Sequence, residues 1–129
     1  MTAMKKKTIL IADDTSDSLY NMSESLELEG YRVVETRDGA AALAEVEKKV
    51  PDLIITDLRM IKVDGFELIN AIRQNARWNN IPILVHSAMA EPDVIEKTLK
   101  LGATAYIIKP CSIEVFLSGV ADAIKTKKV

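Results

Sequence analysis

Four short stretches carry side chains capable of chemistry. Asp13 and Asp14 follow the apolar run Ile9 to Ala12, and Asp57 follows Leu53 to Thr56. Ser87 follows Ile83 to Val85 and His86, and Lys109 follows Tyr106 to Ile108. An acid just past a parallel strand sits at the carboxyl edge, where open α/β sheets bind ligands. Asp57 in that place can be a metal ligand, a nucleophile or a helix cap. Three acids meeting in one cleft repel one another, and their pKa values rise unless a cation compensates. Lys109 supplies one positive charge and a divalent ion two more. All the ligands are oxygens, which predicts Mg²⁺, with Mn²⁺ as a substitute. A free carboxylate beside such an ion, a hydroxyl and a lysine suits phosphoryl transfer. The cations neutralise the phosphoryl oxygens and the carboxylate attacks phosphorus in line, giving an aspartyl phosphate.

Positioning these groups requires strands that end together. The apolar runs at Ile9–Ala12, Val33–Val34, Leu53–Ile55, Ile83–Val85 and Tyr106–Ile108 alternate with stretches of helical spacing. The stripes are Leu19, Met22 and Leu26; Leu43, Val46 and Val50; and Phe66, Ile69 and Ile72. A weaker one joins Val94 or Ile95 to Thr98 and Leu101, and the last takes Ile113, Phe116, Leu117, Val120 and Ile124. Gly30 and Gly102 fit helix C-termini. Asp38, Asp64 and Ser112 fit N-caps, and Pro92 fits a first turn. Lys125, Lys127 and Lys128 lie on the favourable side of the last helix dipole. Strands apolar throughout imply a sheet covered on both faces. The pattern predicts a doubly wound (βα)5 α/β fold with one parallel five-stranded sheet.

Composition narrows the function classes. The chain has 129 residues, 48% hydrophobic and 28% charged, which suits a single globular domain. A net charge of -2 gives no pull toward nucleic acid or a membrane surface, and Lys5-Lys6-Lys7 is read as a solvated tail. One cysteine, Cys111, permits no internal disulfide. No apolar run reaches membrane-spanning length and no signal segment is evident, so the expected location is cytoplasmic by elimination.

The pieces Ile9-Leu10-Ile11-Ala12-Asp13-Asp14, Asp57-Leu58-Arg59-Met60, Asp64-Gly65, Ser87-Ala88 and Ala105 to Pro110 occur in order at matching strand ends. Together they resemble the receiver domain of two-component response regulators, of the CheY-like kind. The likeness runs from about Lys7 to Ile124 and implies a flavodoxin-like sheet of order 2-1-3-4-5. It implies one receiver domain over 8–126, with tails at 1–7 and 127–129. It also implies that Asp57 is phosphorylated by a sensor histidine kinase or phosphotransfer protein. Asp13, Asp14, Asp57 and the Arg59 backbone carbonyl would hold the metal. Ser87 and Lys109 would bind phosphoryl oxygens, Tyr106 would be the switch aromatic working with Ser87, and the Lys109-Pro110 peptide would be cis. The module would be a switch rather than an enzyme. It would present its fourth helix, fifth strand and fifth helix (Lys97, Leu101, Tyr106, Val115) to a downstream target, an output domain or a second copy. Because the chain stops after the fifth helix, a stand-alone regulator and a piece of a longer protein both fit. The sequence departs from the family at Ile61, where proline is usual four residues past the acceptor. Arg59 and Met89 stand where they can alter the lifetime of the acyl phosphate.

Two other function classes fit the sequence less well. A phosphohydrolase of the haloacid dehalogenase type needs two acids separated by one residue, whereas Asp13 and Asp14 are adjacent. A flavin-binding flavodoxin needs a Ser/Thr/Gly-rich loop, and Asp13-Asp14-Thr15-Ser16-Asp17 is too acidic. His86, the only histidine, is expected as a satisfied or edge-facing strand residue. Trp78 is expected at the surface or rim, Cys111 as small packing, and the methionines as core filler.

Overall fold

The computed structural model describes residues 6–126. Ten elements alternate: β1 (Thr8–Ala12), α1 (Ser16–Leu28), β2 (Arg32–Thr36), α2 (Gly39–Lys48), β3 (Leu53–Thr56), α3 (Gly65–Gln74), β4 (Ile83–Ser87), α4 (Pro92–Leu101), β5 (Ala105–Ile108) and α5 (Ile113–Lys125). The strands form one parallel sheet in the order β2-β1-β3-β4-β5. Register pairs Ala12 with both Thr36 and Thr56, and Ser87 with Ile108. The carboxyl ends of β1, β3, β4 and β5 therefore share one edge.

The two-residue pleat sorts side chains to opposite faces. Leu10, Ala12, Ile54, Ile83 and Val85 pack with α2 and α3 on one side. Ile9, Ile11, Leu53, Ile55 and Leu84 pack with α1 and α5 on the other. β1, β3 and β4 are buried along their whole length, while β2 and β5, at the edges, are only partly covered. The expected caps are in place. Asp38 accepts from the Ala41 N–H, Ser112 from Val115, and Asp64 forms a reciprocal capping box with Glu67. Gly30 follows α1 at φ 97°, a left-handed conformation that glycine adopts without Cβ cost.

Three expectations fail. Val50 lies outside α2 and is exposed, because Pro51 disfavours helical geometry in the residue before it. Ile113 opens α5 but is exposed, and Ala123 is buried on that helix beside Phe116 and Val120. Trp78 is buried in the core rather than at the rim. Backbone bonds from Trp78 N–H to Asn75 and from Ile81 N–H to Trp78 curl the loop, and the indole turns inward beside Ile72 and Ile81. Residues 1–5 of the expected N-terminal tail and the tail at 127–129, including Lys5, Lys127 and Lys128, lie outside the described residues.

Candidate functional site

Asp13 and Asp57 leave β1 and β3 side by side. Asp13 N–H donates to the Thr36 carbonyl and Asp57 N–H to the Ala12 carbonyl, so the sheet ladder carries both residues to the edge. From β5, Lys109 N–H donates to the Ser87 carbonyl, which aims its side chain across the same edge. The Lys109-Pro110 peptide is cis. Behind Asp57, α3 begins so close that a Cβ on Gly65 would stand 2.2 Å from the Asp57 carbonyl oxygen. Only glycine allows this approach.

Three side chains then meet. Lys109 Nζ donates to Asp13 Oδ2 at 2.8 Å and to Asp57 Oδ2 at 3.0 Å, across 96 and 52 residues of chain. Asp13, 1% exposed, also accepts from Thr15 N–H at Oδ1 and from Ser18 Oγ–H at Oδ2. Asp57 Oδ1 accepts from its neighbour Leu58 N–H at 2.7 Å. Burial alone would lower the pKa of the Lys109 ammonium, but its hydrogen bonds to Asp13 and Asp57 outweigh that and leave it raised.

The other expected residues are placed differently. Asp14 is exposed, and among the described residues no three acids, histidines or cysteines group closely enough to cage a metal. Asp13 and Asp57 thus form the close pair, with Asp14 next to them on the solvent side. Lys109 offsets one of the two carboxylate charges of Asp13 and Asp57, and a third carboxylate with no cation of its own is more stable in water. Arg59 is exposed beside the cleft. Ser87 is 1% exposed, and its Oγ accepts from Met89 N–H at 3.1 Å. Tyr106 is half-buried against the α2–α3 core, and its hydroxyl donates to the Met89 carbonyl at 2.7 Å. Ser87 and Tyr106 therefore both hold the chain just after β4.

A family model for the response regulator receiver domain matches residues 9–121. The chain belongs to that family. Its general function is phosphoryl transfer to an aspartate, as a signalling module of two-component systems. The receiver domain is 32% identical to a probable cyclic di-GMP phosphodiesterase of Vibrio cholerae, over 99% of this chain and 29% of that protein. It is 35% identical to the transcriptional regulatory protein PrrA of Mycobacterium tuberculosis, over 84% of this chain and 46% of PrrA. The chain thus spans less than half the length of either relative. Among solved structures it superposes on the chemotaxis response regulator CheY4 of Vibrio cholerae with a TM-score of 0.87 and 29% identity, over 92% of this chain and 99% of that one. No helix among the described residues is long and apolar enough to cross a membrane.

Receiver domains generally use Mg²⁺ at the phosphorylation site. The residues present suit it. Two carboxylates already converge on one cation, Lys109 Nζ, and Asp14 adds a solvated carboxylate next to Asp13. Mg²⁺ needs only one or two carboxylates and keeps several waters, so a three-acid cage is not required.

One participant has no counterpart in the sequence reading, and one expected residue is placed differently. Ser18 touches both Asp13 and Lys109; its signal was a hydroxyl in the first turn of α1, immediately past the acids. His86 is 9% exposed and not satisfied as expected. Its Nε2 lies 3.8 Å from Cys111 Sγ, its ring 5.2 Å from Phe116, and its Nδ1 has no partner among the described residues. Burial first, with the Lys109 charge adding and Asp13 and Asp57 opposing, pushes its pKa down to about 4.

Proposed function

We propose that Asp57 is the phosphoacceptor. The observation carrying this reading is Lys109 Nζ held between Asp13 Oδ2 at 2.8 Å and Asp57 Oδ2 at 3.0 Å. An Asp57 carboxylate oxygen attacks the phosphorus of a phosphohistidine on a sensor kinase or phosphotransfer protein. The P–N bond breaks, and the imidazole leaves with the electron pair and takes a proton. Asp13, Asp14, Asp57 and the Arg59 carbonyl would hold Mg²⁺, which would supply positive charge against the phosphoryl oxygens. Lys109 neutralises one of those oxygens and Ser87 donates its hydroxyl to another. Loss of the group to water resets the module, whose role is switching rather than turnover of a substrate.

The readout runs through Met89, which Ser87 and Tyr106 share. Movement of Ser87 toward the phosphoryl group releases that segment, and the Tyr106 ring repacks with it. The face of α4, β5 and α5, with Lys97, Leu101, Tyr106 and the 53%-exposed Val115, then engages a downstream protein, an output domain or a second copy. The domain works in the cytoplasm, within residues 8–126, without touching nucleic acid or membrane itself.

Incubation with acetyl phosphate and Mg²⁺ followed by intact-mass measurement tests this. The expected result is a labile gain of one phosphoryl group, absent in Asp57→Ala and without Mg²⁺. A gain that persists in Asp57→Ala would overturn the assignment.

A further inference from the structure

An ammonium has three N–H donors, and on Lys109 each has an acceptor. Two are Asp13 Oδ2 and Asp57 Oδ2; the third is Ser18 Oγ at 3.3 Å. The same hydroxyl donates its hydrogen to Asp13 Oδ2 at 2.9 Å. A hydroxyl has one hydrogen and two lone pairs, so the bond to Asp13 leaves a lone pair free to face the lysine. Ser18 is the third residue of α1, and helical side chains lean toward the helix N-terminus. That tilt returns it to the loop that carries the acids. Thr15, the N-cap of α1, makes no side-chain cap bond. Asp13 instead takes the Thr15 N–H on Oδ1 and the Ser18 hydroxyl on Oδ2, so both its oxygens are fixed from α1.

We infer that Ser18 is a positioning residue of the phosphoryl-transfer site. It locks Asp13 through its hydrogen and Lys109 through its lone pair, and so keeps the ammonium shared between two carboxylates instead of collapsed onto one. This rests on Asp57 being the acceptor. When Asp57 carries a phosphoryl group, Lys109 has only its Asp57 contact to exchange, and Ser18 and Asp13 remain the pivot. Without the hydroxyl, Asp13 can rotate and the freed N–H of Lys109 turns to the acids. Both changes oppose a second cation. Partners that orient a metal-binding carboxylate are worth 10–100-fold in metal affinity.

The experiment compares wild type, Ser18→Ala and Ser18→Thr, each first checked for a cooperative thermal transition. Calorimetric titration with MgCl₂ alone should show at least tenfold weaker binding in Ser18→Ala. Ser18→Thr, which keeps the oxygen, should stay within about twofold of wild type, a rescue that loss of packing does not give. In metal-free protein, the Lys109 ammonium resonance should be observable by NMR in wild type and Ser18→Thr and lost to exchange in Ser18→Ala. A folded Ser18→Ala with unchanged Mg²⁺ affinity and an unchanged Lys109 signal would overturn the inference. If wild type takes no Mg²⁺, the reading of Asp57 fails, and the metal-free Lys109 signal alone decides the role of Ser18.

Discussion

Around Lys109 the polar atoms of three buried or half-buried side chains have partners. One residue before Ser87, on the side of the same sheet that faces α5, the His86 imidazole has a nitrogen with none among the described residues. The two spots lie near enough for the Lys109 charge to depress His86, yet they are built on opposite terms. The first is a closed network in which every N–H of one ammonium is used and that ammonium is shared between two carboxylates. Such networks rigidify what they hold, and removing one member leaves the rest uncompensated. The second is a polar group enclosed in a core, where an unmade hydrogen bond costs about 1–3 kcal/mol. The contrast teaches that burial alone does not mark the working residues at this edge. Reciprocal pairing does.

The comparison breaks most sharply at its centre. Lys109→Ala leaves Asp13 buried without its cation, and breaking a buried pair costs about 3–5 kcal/mol. Urea unfolding in EDTA should show that loss, and added Mg²⁺ should restore part of it. If EDTA and Mg²⁺ give the same loss, the two carboxylates do not share a cation site.

His86 gives the next largest effect, and in the opposite direction. The free imidazole titrates at 6.5 and the buried one at about 4. Between those values the unfolded chain binds a proton that the folded one refuses. Stability therefore falls as pH drops from about 6.5 to about 4 and levels off below, by about 3 kcal/mol in all. His86→Leu should remove that component. It should also raise neutral-pH stability by about 1–2 kcal/mol by deleting the unpartnered nitrogen. Melting curves of the two proteins across pH 4–7 check both, and parallel curves would mean that His86 is paired or protonated in the folded state.

What could be read in advance follows the same division. Strand ends, caps and the order of elements were legible because they depend on residues adjacent in sequence: Asp64 with Glu67, Ser112 with Val115, an acid directly after Ala12. Val50 was misplaced on the second helix, although Pro51 beside it already disfavours a further helical turn. The partnership of Asp13 with Ser18 and Lys109, the exposure of Asp14 and the burial of Trp78 were not legible. Each depends on side-chain direction after the whole edge has assembled. Asp13 and Asp14 are neighbours of the same type, and their fates separate through partners of Asp13, among them Lys109 from 96 residues away.

The smallest effect lies in the loop between β3 and α3, where the backbone rather than a side chain is left unrelieved. Lys62 has φ 63°, the one non-glycine residue at positive φ among those described, next to Ile61, which is 76% exposed. The left-handed conformation costs a non-glycine residue about 1–2 kcal/mol. It persists because the next residue is anchored: the Val63 carbonyl accepts from Gly39 N–H at 2.8 Å. Lys62→Gly relieves the strain but enlarges the freedom of the unfolded chain, a cost of about 0.5–1 kcal/mol. The net expectation is a stabilisation below about 1 kcal/mol, since the second term offsets much of the first. Thermal unfolding would show it as a rise of a few degrees. Lys62→Ala, which keeps a Cβ, should give none of that gain, and a gain as large as glycine's would place the loop outside the left-handed region. The loop also carries Arg59 past Asp57, so the glycine variant tests whether its backbone geometry affects the cleft. An unchanged Mg²⁺ affinity would confine the strain to the loop, and a weakened one would extend the paired region as far as Val63.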